Sequence, residues 1–247
     1  MKLLSFEING AFGAFRDPSV TSNQTVYFIP SKSAVIGILG AMIGIPRGHS
    51  LDQLYSQQYL DLFSKTKIGI QMKSEPRKVT IFTNHRSLKE PKTKPFKTEL
   101  TDSPSYRFHV LTDERYFSKL ESVISSHRFV FTPYLGHAYC PATISNLEIY
   151  DAVETDPRNK ETSCVILDES ETFNESFSFR ITPAEGSESA RIIIERHMHH
   201  YTQDNELKRT ILKHWIPVTS SRYVIIRDDK RGLSVFVKAQ DQVICMY

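Results

Sequence analysis

The sequence predicts an α+β protein: a ferredoxin-like β-α-β-β-α-β domain over residues 1–155, followed by a small, mainly antiparallel β domain over 156–247. Three observations predict it. Strand-like and helix-like segments alternate in that order as far as residue 153. The polar stretch Asp156-Pro157-Arg158-Asn159-Lys160 interrupts the pattern, and only strand-like runs follow it. Hydrophobic residues make up 40% of the 247 residues and charged residues 24%, a globular composition that excludes wholesale disorder.

Leu3 to Ile8 reads as an opening strand that runs into the glycine-punctuated turn Gly10-Ala11-Phe12-Gly13-Ala14-Phe15-Arg16. Pro30 and the serines Ser31 and Ser33 are helix-start signals for the apolar stretch Ala34 to Met42. Gly37, Gly40 and Gly44 cost that helix propensity, so close packing against a neighbouring backbone is the expected compensation. Leu51 to Phe63 is a second helical segment. Lys67 to Lys73 and Tyr106 to Leu111 read as strands, and Glu90 to Pro104, with three prolines, as a protruding loop or hairpin. Asp113 caps a helix over Glu114 to Ser125, whose Phe117, Leu120, Val123 and Ile124 share a face. Phe129 to Phe131 and Leu147 to Val153 are strand-like and flank the turn Pro133-Tyr134-Leu135-Gly136-His137. Later strands are expected at Ser163 to Asp168, Ser176 to Thr182, Arg191 to Glu195, Arg222 to Arg227 and Leu233 to Lys238, with a hairpin turn over Asp228 to Gly232.

Cys140, Cys164 and Cys245 are odd in number and far apart, which argues against a disulfide framework and against CxxC metal spacing. No apolar run approaches the ~20 residues of a spanning helix. The expectation is a cytoplasmic protein without a membrane partner.

Charge separates one segment from the rest. Lys73, Arg77, Lys78, Arg86, Lys89, Lys92, Lys94 and Lys97 face only Glu75 and Glu90 within Lys73–Lys97, although the whole chain carries a formal charge of just +3. A solvated lysine-rich loop is the plain alternative to a phosphate-binding surface. The position between the second and third strands of an RRM-type fold favours single-stranded RNA. Aromatic residues in or beside turns, including Phe15, Tyr134 and Tyr139, are candidates for base stacking or for core anchors. Arg16, Ser31, Lys32 and Ser33 are candidates for phosphate contact at a helix start. Arg107 and His137 complete the expected RNA-binding set.

Two segments carry a family resemblance. Gly10 to Arg16, continued by Tyr27-Phe28-Ile29-Pro30-Ser31-Lys32-Ser33-Ala34-Val35-Ile36-Gly37, resembles the N-terminal signature of the Cas-five subunits of type I CRISPR surveillance complexes (Cascade). Pro133 to Ala142 resembles their second marker, a Tyr-Leu-Gly turn leading through a Pro-Ala step into the last strand of the domain. Length and spacing are most similar to the type I-B branch. The resemblance implies a lysine-rich thumb hairpin at about 74–105 that grips guide RNA (crRNA). It also implies capture of the guide's 5′ handle, contacts with the backbone and large subunits and other Cascade proteins, indirect engagement of target DNA, and no cofactor.

Chemistry is the alternative. One branch of the family cuts repeat RNA without metal, which calls for a Lys-His pair in the N-terminal domain; the Lys-His dipeptide here is Lys213-His214, far downstream. His109 and His137 remain catalytic candidates by residue type alone. His197-Met198-His199-His200 with His214 raises a metal-dependent hydrolase, but no carboxylate or cysteine stands at ligand spacing, and an exposed or interface histidine cluster is the expectation. The reading is therefore of a subunit with neither catalytic nor metal-binding residues.

Overall fold

The computed structural model describes residues 1–20, 24–48, 54–86, 92–169, 179–186, 190–203, 206–219, 221–228 and 234–247. Lys89, the start of the expected strand at Ser176, Leu233 and most of the turn expected over Asp228 to Gly232 lie outside these residues. The first half runs β1 (Lys2–Asn9), β2 (Phe12–Gly13), α1 (Lys32–Ile43), α2 (Gln57–Lys65), β3 (Lys67–Met72), β4 (Lys78–Arg86), β5 (Thr93–Asp102), β6 (Ser105–Leu111), α3 (Glu114–Ser126) and β7 (Thr143–Glu154). Among the described residues strands alone follow: β8 (Lys160–Thr162), β9 (Ile166–Asp168), β10 (Phe179–Pro183), β11 (Ile192–Gln203), β12 (Glu206–Pro217), β13 (Tyr223–Asp228), β14 (Val235–Ala239) and β15 (Gln242–Met246). The architecture is mixed α+β, rich in antiparallel strands and poor in helices. No helix among the described residues is long and apolar enough to cross a membrane.

The main sheet has the order β15-β14-β7-β1-β6-β3, with every pairing antiparallel. Alternation in β1 sends Leu4, Phe6 and Ile8 into the core shared with the helices, opposite Val110, Phe108 and Tyr106 of β6. Phe6 and Phe108 meet edge-on at 5.8 Å. The other face carries Ser5 and Glu7. Tyr247 then bends the sheet round: it exchanges both backbone hydrogen bonds with Ile68 of β3, at 2.8 and 2.9 Å. The enclosed second face is filled by Leu3, Ala152, Cys164, Val237, Ile244 and Met246.

α1 is apolar all round because it is covered on several sides; Val35, Ile36, Ile38, Leu39 and Met42 are buried. Ser31 caps it, its Oγ accepting from Ala34 N–H at 3.4 Å, and Gly44 ends it in the left-handed conformation at φ 77°. Phe129 to Phe131 is not a strand. The Val130 and Phe131 N–H groups instead donate to the carbonyls of Met42 and Ala41, at 3.0 and 3.1 Å. The open carbonyls at the end of a helix compete successfully with sheet pairing for those donors.

The division expected at residue 155 does not separate two cores. Val165, Ile166, Leu167, Leu212, Ile216, Ile225 and Phe236 join the same hydrophobic cluster as β1 and α1, and β14 and β15 extend the first sheet. The long β12, the second half of β11, and β15 are elements that sequence periodicity did not reveal. Their inward positions include His197, His199 and His214, residues that disguise an apolar alternation.

Gly40 packs as expected: a β-carbon there would sit 3.3 Å from Ile45 O. Gly37 does not, because nothing lies within 4 Å of the position a β-carbon would take. Gly37→Ala should therefore raise stability by ~0.5–1 kcal/mol through helix propensity alone. Thermal denaturation checks this, and a lowered midpoint would contradict it.

Candidate nucleic-acid interface

The lysine-rich segment folds as the hairpin β4–β5, paired without a break from Lys78↔Thr101 to Arg86↔Thr93. Period-two alternation sorts its side chains. Lys78, Phe82 and Arg86 share one face with Lys97, which lies directly across from Phe82, while Lys94 belongs to the opposite face. Phe82 is 74% exposed. Sequence reasoning passes over it because the alternation Val79-Thr80-Ile81-Phe82-Thr83 looks like an ordinary half-buried strand. The signal is an aromatic inside the most basic window of the chain. Arg77 and Lys92 are exposed at the two ends of this unit, and Lys78 Nζ rests 4.4 Å from the centroid of Phe28.

The root of the hairpin is held by the glycine-punctuated turn. β2 pairs with β5 on the edge opposite β4, and Thr101 Oγ1 donates to Gly13 O at 3.1 Å. A β-carbon on Gly13 would lie 2.4 Å from that same oxygen of Thr101. One step further, Gln24 N–H donates to Lys97 O at 3.3 Å and Glu99 N–H to Gln24 O at 2.8 Å. Arg16, bridged to Val26, is exposed beside this junction.

The Pro133–Ala142 turn closes the third side. Ala142 N–H donates to Pro133 O at 3.0 Å and Leu135 N–H to Cys140 O at 2.8 Å, which close the loop on itself. Leu135 O then accepts from Ala14 N–H at 2.8 Å. Gly136 adopts φ 87°, and a β-carbon there would stand 2.3 Å from Ala14 O, so only glycine fits. Leu135 and Cys140 are buried, whereas Tyr134 and Tyr139 are 44% and 51% exposed, with Tyr139 stacked on His137 at 4.1 Å. The arrangement brings the hairpin, Arg16 and the rings of Tyr134, His137 and Tyr139 onto one connected framework.

Several expected contacts lie elsewhere. Phe15 is buried against Tyr106 and supports the turn as a core anchor. Lys32 turns away from the helix start: its Nζ sits 4.7 Å from the Phe63 centroid, and burial, with Lys67 nearby, pushes its pKa down to about 7. Ser31 and Ser33 bond each other at 3.1 Å while Ser31 serves as the cap. Arg107 projects from the sheet face opposite Phe108 and is neutralised by Glu7 at 2.9 Å and Glu148 at 2.8 Å. Alternation makes it look like a free cation, and only the register of three strands exposes its partners.

His109, His197, His199 and His214 are interior groups, whereas His137 is exposed. His109 is fully buried, and burial, with Arg107 and Lys73 adding repulsion, holds its pKa near 3. His197, His199 and His214 form a buried cluster rather than an exposed one: His197 stacks on Tyr27 at 3.9 Å and lies 4.4 Å from His214. Its Nε2 is 2.9 Å from Glu195, whose carboxylate also accepts from Phe28 N–H at 3.0 Å. Burial lowers His197 to about 3 and raises Glu195 to about 7. Among the described residues no group of three His, Cys, Asp or Glu side chains is placed to hold a metal ion.

A solved structure titled as a CRISPR protein from Archaeoglobus fulgidus superposes with a TM-score of 0.58 at 9% identity, covering 99% of each chain. A chain of a CRISPR RNA-guided surveillance complex covers 88% of this chain and 91% of its own at 13% identity, with a TM-score of 0.47, too low to bear on the fold. No curated protein matches by sequence. The strand-rich fold is thus shared with the Archaeoglobus fulgidus protein over nearly the whole of each chain. The family model described as "CRISPR-associated protein (Cas_Cas5)" matches residues 3–226, and the chain belongs to that Cas5 family.

Two outcomes are expected. Gly136→Ala should cost ~2 kcal/mol or more in a denaturant titration, since strain at positive φ adds to the clash with Ala14. His109, His197, His199 and His214 have depressed pKa values, so the unfolded chain binds more protons below pH ~6.5 and stability falls as pH drops from there towards ~3. The raised Glu195 opposes this between ~4.5 and about 7, because its folded form holds the proton. Urea midpoints measured at pH 7 and pH 5 should show the histidines prevailing, with Glu195→Gln steepening the loss; a flat profile would contradict the assignment.

Proposed function

We propose that this Cas5-family chain is a non-catalytic RNA-gripping subunit of a CRISPR effector complex, holding the 5′ handle of the guide RNA. The order β7-β1-β6-β3, with α1 and α3 against one face, supports a split-βαβ domain of the kind that presents RNA-binding surfaces. The observation that carries the reading is the β4–β5 face, on which an exposed aromatic ring stands among Lys78, Arg86 and Lys97. Single-stranded nucleic acid is bound by this combination: cations follow the phosphates while a ring stacks on a base. Arg16 and the Pro133–Ala142 turn bearing Tyr134, His137 and Tyr139 offer further contacts to a handle of constant sequence. Phosphate and sugar contacts suit the variable spacer. The remaining surface is left for backbone and large subunits, with target DNA reached through the guide.

Charge reversal of Arg86, Lys92, Lys94 and Lys97 in the full chain should weaken guide-RNA binding and flatten its salt dependence, by ~0.7 in log–log slope for each phosphate that is no longer neutralised. Phe82→Ala should cost ~1–3 kcal/mol without changing that slope. Filter binding across a salt series reads both, and unchanged curves would remove the hairpin from the function. The endoribonuclease alternative rests on the exposed His137–Tyr139 pair. Labelled repeat RNA incubated with the protein in EDTA is expected to stay intact; a site-specific product would overturn the non-catalytic reading.

A further inference from the structure

Beside the turn lies a cleft of about 530 Å³, within the ~300–1,000 Å³ range of small-ligand pockets. It is lined by Ala34, Gly37 and Ala41 of α1, whose side chains are small, and nothing stands within 4 Å of the position a β-carbon on Gly37 would take. Phe131 and Tyr134 also line it and are 60% and 44% exposed although both are aromatic. Arg47, exposed, also lines it, with its guanidinium 5.2 Å from the ring of Tyr55 and its Nη2 3.5 Å from that residue's hydroxyl. Stacking holds the charge in position while most of its five N–H donors stay available. None of Gly37, Arg47 and Phe131 belongs to the hairpin or to the candidate set read from the sequence.

We propose that this cleft seats one unstacked nucleobase of the strand held by the hairpin, with Phe131 or Tyr134 against the base and Arg47 on the adjoining phosphate. The inference rests on the RNA-binding reading above and adds a specific subsite to it. Two observations select a nucleotide over an aliphatic side chain. A cleft lined by small helix residues and by two exposed rings suits a planar ring, which gains stacking that a branched side chain cannot. An exposed cation lining a largely apolar cleft matches a ligand that joins an apolar plane to an anion, as every nucleotide does.

The test uses the full chain and an oligoribonucleotide copying the repeat-derived 5′ segment of the host guide RNA, with 2-aminopurine substituted at one position at a time. Fluorescence of that base reports its stacking. One position should change on binding to the wild type. Gly37→Leu extends into the cleft from a position whose β-carbon would meet no atom within 4 Å; it should abolish the change at that position and weaken binding about tenfold, leaving the salt slope unaltered. Phe131→Ala and Arg47→Gln, which leave the sequence of α1 unaltered, should weaken the same signal. If Gly37→Leu leaves every position as in the wild type while hairpin charge reversal still weakens binding, the subsite is overturned and the RNA-binding reading stands. If the wild type binds no RNA, both fall. If Gly37→Leu instead impairs association with a protein subunit and spares the fluorescence signal, the cleft is a protein pocket and the proposal is overturned.

Discussion

The approach of Gly136 to Ala14 is the contact on which the candidate interface depends. A β-carbon at Gly136 would fall 2.3 Å from Ala14 O, and Leu135 O accepts from Ala14 N–H at 2.8 Å, so two backbones touch where most proteins would place side chains. Ala14 continues the strand β2, which is paired to β5 and so to the root of the hairpin. The turn, the opening segment and the hairpin therefore move together. Buried Leu135 and Phe15 fill the space beneath this junction, which lets Tyr134, Tyr139 and Arg16 point outward from a rigid base rather than from mobile loops.

Local signals carry much of this. Asp113, Ser31 and the apolar faces behind them announce α3 and α1, because a cap and a helical period are short-range features. The basic hairpin is visible for a similar reason: charge density and prolines are read without knowledge of the fold. What escapes are facts of register and enclosure. Nothing near Arg107 in sequence reveals Glu7 and Glu148, separated from it by 100 and 41 residues. Lys32 has the position of a phosphate-binding lysine in the first turn of a helix, and only the placement of α2 shows its ammonium meeting Phe63. Phe15 and Tyr134 look equivalent as turn aromatics, yet packing buries the first and leaves the second exposed.

The histidine cluster shows the cost of judging residues by type. His197, His199 and His214 suggest metal or catalysis on paper, but in the fold they are neutral packing groups between the β11–β12 hairpin and the segment at Tyr27 and Phe28. Glu195 ties the same hairpin to Phe28 N–H. The C-terminal half is thereby fastened to the stretch that leads into α1, which is why strands after residue 155 share the first core instead of building another.

In the β4–β5 hairpin, side-chain placement is set by parity. Phe82 meets Lys97, and Lys78 and Arg86 join them, because each is an even number of steps from the next along its strand. One residue inserted between Lys78 and Phe82 would send the ring and Arg86 to the reverse side while Lys78 stayed, dividing the ensemble without altering its composition. Evolution can thus exchange lysine for arginine, or one aromatic for another, more freely than it can add or remove a single amino acid between Lys78 and Thr101.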